Sequence, residues 1–315
     1  MHFDDLFPVE PLLDELSTLL SKAKGEAEIF YTAGGRNILF RLETVARIAG
    51  GLGDKDDFDD AKERFKKSED LFGEYDFYVA WLKIFNGKKK CLGKYTEVFN
   101  KNITAIAEEI RDDLNDWNDF ESENTIHNFR KYCHALHFED EKALSAAFSA
   151  FIIKSANKLV KEYRQGTFST TDIEKGLHEL RRKLRWISLY IQNANGLIQL
   201  KPSLHPEKKF ADYLTPETLS SPFMKLPENK SISTPVHIRT ETYAAFSSII
   251  AEIGALKDQG LATALFHGNT DLLACAGIKN PDNAELLEKA DRLITKFFEH
   301  DDIPAELIHD LTPYT

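Results

Sequence analysis

The chain has 315 residues, 42% hydrophobic and 29% charged, a globular composition sufficient for one large or two medium domains without staples. With 40 basic against 51 acidic side chains, its net charge of −11 argues against a general nucleic-acid binder. Cys91, Cys133 and Cys275 are scattered and lack CxxC spacing, which excludes a disulfide scaffold, argues against a zinc ribbon and fits a reducing, cytoplasmic compartment.

Along the chain the apolar residues repeat every three or four positions, so the elements read as helices. The acidic opening Met-His-Phe-Asp-Asp is unlike a signal peptide, and no apolar run reaches the roughly 18 residues of a membrane span. Helices are expected over 9–24, then 36–49, where Ile38, Leu42, Val45 and Ala49 form one stripe and Gly50-Gly51 a stop. Neither Gly34-Gly35 nor Gly50-Gly51-Leu52-Gly53 has the following lysine or preceding strand of a phosphate-binding loop. A long helix is expected over 58–86, the exposed run Lys88-Lys89-Lys90 follows, and another helix over 93–118 carries Asp112, Asp113 and Asp116, with Asp119 just beyond. Those four carboxylates read as a solvated face, with divalent-cation binding as the alternative.

The middle of the chain is basic. Residues 1–125, 126–210 and 211–315 carry balances of −10, +7 and −8. Within the basic part, His127, Arg130, Lys131 and His134 recur at i, i+3, i+4 and i+7, one face of a helix. His134 and His137, with Cys133 adjacent, form an alternative metal-ligand set. On the helix expected over 140–165, Lys154, Lys158 and Lys161 make a further basic edge, with Arg164 next. The helix at 171–195 has the clearest stripe, Ile173, Leu177, Leu180, Leu184, Ile187 and Ile191, with Thr170, Thr171 and Asp172 as cap candidates. Opposite that stripe, His178, Arg181, Arg182 and Arg185 fall within about 100° of one another, planar forks suited to phosphate oxygens. Glu174, one turn before His178, could hold its ring.

Residues 200–238 hold six of the 11 prolines and read as a functional or interdomain excursion, with one short turn at Leu214-Thr215-Pro216-Glu217. Helices follow over 240–275 and 283–299, the latter entered at Pro281-Asp282. His300-Asp301 and His309-Asp310 are dipeptides of the kind used by helical metal phosphohydrolases, although no further acidic partner is identifiable. With almost no alternating pattern, the chain is expected to be all-α.

Two segments look duplicated. FKKSEDLFGEYDFYVAWLKIF at 65–85 and FSSIIAEIGALKDQGLATALF at 246–266 place Phe65 and Phe246 eight residues before Gly73 and Gly254, followed by Asp76 and Asp258. Upstream of each, LFRLETVARI at 39–48 pairs with LHELRRKLRWI at 177–187, which suggests two related helical halves.

The pattern LHELRRKLRWISLY, with the glycine segments DLFGEYD and AEIGALKD, resembles the signature elements of the CHAD family, the conserved histidine α-helical domain. The resemblance implies two four-helix bundles related by a pseudo-twofold axis and a basic cleft between them that binds inorganic polyphosphate or another polyanion without catalysis or cofactor. By that resemblance His178, Arg181, Arg182 and Arg185 are the anion-contacting face. In the first half Phe40 stands where the histidine should be, and Glu43 and Thr44 where basic residues should be; Arg36, Arg41 and Arg47 are the charges there.

The expectation is therefore an all-α protein with halves at 1–125 and 126–315. It binds polyphosphate or a phosphorylated ligand through His178, Arg181, Arg182, Arg185, His127, Arg130, Lys131 and Lys158. The rival readings are a scaffold whose basic helix docks an acidic protein or a second copy, and a metal-dependent phosphohydrolase.

Overall fold

The computed structural model describes residues 1–86, 94–117, 124–168, 173–265 and 283–312. Several expectations lie outside these residues: Lys88-Lys89-Lys90, Cys91, Asp119, the caps at Thr170 to Asp172, Cys275 and the Pro281-Asp282 start. The side chain of Glu174 also falls outside. The fold is all-α, and the described chain divides into two compact units, one over Met1–His137 and one from Phe138 onward.

In the first unit α1 (Val9–Ala23), α2 (Ala27–Thr32), α3 (Gly35–Leu52), α4 (Asp56–Asn86), α5 (Lys94–Asp116) and α6 (Asn124–Ala135) follow a single-turn helix at Phe3–Asp5. The stripe expected in α3 is the buried one, with Ile38, Leu42, Val45 and Ala49 all in the core. However, α3 runs through Gly50 and Gly51 to Leu52, and its last turn closes where the Gly53 N–H donates to the Ala49 carbonyl at 2.8 Å. Aromatic rings fill the space between α4 and its neighbours. Phe65 stacks on Trp117 at 6.0 Å and meets Phe129 edge-on at 5.5 Å. Burying rings of this size contributes roughly 1.5–3 kcal/mol each.

In the second unit α7 (Glu141–Arg164) is joined to α8 (Glu179–Gln192), which a π-helical turn at Ile173–His178 precedes. All six stripe residues from Ile173 to Ile191 are buried. α7 and α8 run antiparallel, since Lys183 pairs with Glu162 at 2.9 Å while Tyr190 meets Phe151 with centroids 4.8 Å apart. By length and composition α7 is apolar enough to cross a membrane. The residues that make it so include the packing stripe Leu144, Phe148, Ile152, Ala156 and Leu159, none more than 2% exposed.

The proline-rich excursion leaves and returns through two short strands that the sequence did not announce. β1 (Ile198–Lys201) pairs in parallel with β2 (Val236–Arg239), Ile198 opposite Val236 and Lys201 opposite Arg239. Between them the expected short turn appears as α9 (Pro216–Ser220), capped by the Thr215 hydroxyl. The excursion packs onto its own unit. Phe210 is fully buried, the Gln192 side-chain amide donates to the Phe223 carbonyl at 3.1 Å, and Glu141 accepts backbone and hydroxyl bonds from Ser233 and Thr234. Gly196, at φ +88°, lets the Asn229 backbone approach to where a Cβ would stand 2.6 Å away.

The unit is completed by α10 (Thr240–Leu265), α11 (Ala284–Thr295), a π-helical turn at Lys296–His300 and α12 (Ile303–Leu311). Arg239 anchors the end of the excursion to α12: its Nε donates to Asp310 at 2.6 Å, and a second arm reaches Glu306. The Asp310 side chain is only 4% exposed. Arg239→Ala therefore strands a buried carboxylate and should cost about 2–3 kcal/mol in urea denaturation, with Arg239→Lys recovering part of it. A loss below about 0.5 kcal/mol would show that the excursion is held without this anchor.

Candidate anion-binding site

The basic residues of α8 do not share one environment. Successive residues on a helix are about 100° apart, so where the neighbouring helix lands decides which of them stays in water. α10 lands on the Arg181 side. It can do so because Gly254 presents bare backbone: a Cβ there would stand 2.7 Å from the Arg181 Nε. About two turns earlier, Ile173 of the π-helical turn sits on Gly260, where a Cβ would come within 2.7 Å of its Cδ1.

Arg181 is consequently half-buried, with its Nε shielded from water and lacking a hydrogen-bond acceptor among the described residues. Its guanidinium also makes no ion pair there. Burial pulls its pKa below the usual arginine range, and the negative charge of Asp258 on α10 opposes that pull. Arg182 is exposed and pairs with Glu179 at 2.8 Å, and Lys183 lies at the seam with α7. His178 and Arg185, one turn to either side of Arg181, are half-buried.

The first unit offers a comparison at the other glycine segment. Arg36 of α3 reaches over Gly73 of α4, where a Cβ would stand 3.1 Å from its terminal nitrogen. There the guanidinium is neutralised: Nε donates to Glu69 at 2.9 Å and a terminal nitrogen to Asp76 at 2.7 Å. Asp76 also accepts the Tyr31 hydroxyl, and burial followed by this bond pushes the Tyr31 pKa up to about 12. Counted from Gly254, Ile250 stands at the position of Glu69 and Lys257 at that of Asp76, while Asp258 falls one residue later and pairs with Lys257 at 2.6 Å. Two arginines thus lie over two glycines, one with its counter-ions built in and one without.

The exposed side chains of α7 from position 154 onward are Lys154, Asn157, Lys158, Lys161 and Arg164. None of these four cations has an ion-pair partner among the described residues. The antiparallel pairing sets Arg182 level with Lys161 along the hairpin. This surface is the solvated lysine edge expected from the sequence.

The remaining candidates sit elsewhere. His127, Arg130 and Lys131 belong to α6 of the first unit, where Arg130 pairs with Glu10 at 3.1 Å while His127 and Lys131 are exposed. Cys133 points into the core, and burial raises its thiol pKa, so it is no partner for His134 and His137. Asp113 is buried in an ion pair, whereas Asp112 and Asp116 are exposed. In the two His-Asp dipeptides, Asp301 accepts the Tyr213 hydroxyl at 2.6 Å and Asp310 is held by Arg239. Beside the excursion, a cavity of about 760 Å³ is lined by Gln199, Met224, Lys225, Glu228 and Lys230 among others, a mixed set that selects no one charge.

Among the described residues no group of three His, Cys, Asp or Glu is arranged to hold a metal ion. Compared with protein-family models, curated proteins and solved structures, the chain matches none.

Proposed function

We infer that the second unit binds a polyanion, inorganic polyphosphate or a phosphorylated ligand, without catalysing a reaction. The observation that carries this reading is Arg181, a shielded guanidinium over Gly254 with neither ion pair nor hydrogen bond among the described residues. A buried cationic donor left unsatisfied costs about 1–3 kcal/mol or more, which an anionic ligand would recover. His178 and Arg185 extend the recognition along α8. Lys154, Lys158, Lys161 and Arg164 supply a one-signed field that draws a polyanion to the α7–α8 hairpin.

The likeness of the two glycine segments supports a duplicated origin and a divergent relationship to the CHAD family. In this reading the first half lost its anion site where Phe40, Glu43 and Thr44 stand in place of the histidine and the basic residues, and Arg36 beside Gly73 is neutralised by Glu69 and Asp76. The proposal is confined to the second unit and does not draw on His127, Arg130 or Lys131.

Titration with long-chain polyphosphate at two salt concentrations tests it. Binding should weaken steeply with salt, and Lys154→Ala/Lys158→Ala/Lys161→Ala should flatten the salt slope by up to about three phosphate contacts. An unchanged slope would remove the α7 surface from the site. Binding of an acidic protein with indifference to polyphosphate would instead favour the scaffold reading.

A further inference from the structure

β1 has a strand partner on one side only, so what lies along its other side decides whether that edge is closed. In a parallel ladder alternate residues turn both N–H and C=O toward the partner strand, and those between turn theirs away. The Leu197 carbonyl accepts the Val236 N–H at 2.8 Å, so Gln199 and Lys201 face β2 while Ile198 and Leu200 face away. Among the described residues nothing pairs with the Leu200 N–H or carbonyl on that side. The cavity of about 760 Å³ lies there. Its lining includes both Gln199 and Leu200, whose side chains point to opposite faces of the strand, and no residue of β2. A void touched by two successive strand residues runs along the edge and not under one face.

The far wall of the cavity is the segment 224–232, and it is pinned at three points. At one end the Phe223 carbonyl accepts from Gln192, at the other Glu141 clasps Ser233 and Thr234, and between them Asn229 sits on Gly196. The gap between this wall and β1 is therefore pre-formed, and binding need not order it. Met224 and Ile232, each 8% exposed, give it an apolar floor with the half-buried Leu226. Lys225 and Lys230 stand exposed in the lining against Glu228, and Lys201 is exposed next along β1. None of these three lysines has an ion-pair partner among the described residues.

An unpaired strand edge beside an apolar trough is the arrangement that receives an added strand. Main-chain hydrogen bonds then give affinity, and alternate side chains of the guest fill the pockets. A lining of both signs offers little to a simple anion, whereas a peptide uses the edge, the floor and the surplus of lysine together. We propose that the free edge of β1 binds an extended peptide segment of a partner protein by strand addition. Its alternate apolar side chains enter the Met224–Ile232 floor, and acidic ones between them meet Lys201, Lys225 and Lys230. The site is independent of the anion-binding reading, which uses Arg181 and α7.

Fluorescence polarisation of labelled hexapeptides against the full-length protein provides the test. The probes are Glu-Val-Glu-Val-Glu-Val and Glu-Leu-Glu-Phe-Glu-Leu, beside Lys-Val-Lys-Val-Lys-Val and the Glu-Val peptide N-methylated at every second amide, made in both registers. At least one acidic probe should bind with a Kd of about 100 μM or tighter, and the lysine peptide at least about tenfold more weakly. One of the two N-methylated registers should lose binding by a similar factor, because its ladder donors are blocked. Lys225→Glu/Lys230→Glu, at two exposed positions, should weaken the acidic probe by about tenfold or more, with circular dichroism checking the fold. Arg181→Ala should leave it unchanged. No binding of either acidic probe, or binding that N-methylation in both registers and the lysine variant leave unchanged, would overturn the proposal. So would loss of the peptide in Arg181→Ala, which would place it at the anion site.

Discussion

Replacing Asp113 by alanine lowers the unfolding free energy by about 3–5 kcal/mol, because it breaks a buried ion pair from one side only. Asp113 is 3% exposed on α5 and accepts from Arg64 at 2.8 Å and from the Ser68 hydroxyl at 2.5 Å. Ser68 in turn accepts the indole N–H of Trp117 at 3.1 Å, and the Arg64 guanidinium lies 3.9 Å above the Trp117 ring. Without the carboxylate, a guanidinium sandwiched between two helices loses its counter-ion and the hydroxyl loses its acceptor. Asp113→Asn keeps one acceptor oxygen and should recover part of the loss. Urea denaturation followed by circular dichroism reads the difference, and a loss under about 1 kcal/mol would mean that α4 and α5 hold together without this network.

The second large effect is a pH dependence centred on Glu43. Its side chain is 1% exposed, with the Arg47 guanidinium beside it at 2.7 Å. Burial pushes its pKa up to about 7, Arg47 opposing and Glu69 and Asp70 adding to the rise. In the unfolded chain the carboxyl ionises near its ordinary value of 4.5. Between those two values the folded protein holds a proton that the unfolded one has released. Stability contributed by this group is therefore lost as pH rises from about 4.5 to 7, by a total of about 3 kcal/mol. Glu43→Gln keeps an acceptor for Arg47 but never ionises. The variant should match the wild type near pH 4.5 and exceed its stability at pH 8. Parallel stability curves for the two proteins would show that Glu43 ionises normally.

The elements legible in the sequence were those whose signal is local. The stripe from Ile173 to Ile191 specifies one helix face by spacing alone, and it is the buried face. The short turn after Thr215 followed from a proline and a hydroxyl cap. β1 and β2 were not legible because four residues are too few to show alternation and their pairing joins positions 38 apart. The stacking of the His2 ring on His134 was hidden for the same reason: His134 and His137 are visible as a spacing, but the backbone bridge between His2 and His137 that brings His2 there is long-range. At the candidate anion site, the helical wheel groups Arg181 with Arg182, yet the glycine that separates their environments lies on another helix. Gly254 reads in the sequence as half of a repeat, and its role as the seat of Arg181 appears only when α8 and α10 are packed.

The most direct measurement is the affinity of the protein for long-chain polyphosphate at low salt, beside Arg181→Ala and, as a control, Arg292→Ala. Arg292 is exposed and already paired with Glu288 at 2.6 Å. The wild type should bind at micromolar Kd or tighter, Arg181→Ala should lose about tenfold or more, and Arg292→Ala should bind as the wild type does. No binding by the wild type, or equal binding by the wild type and Arg181→Ala, would contradict the assignment of the second unit as a polyanion-binding module.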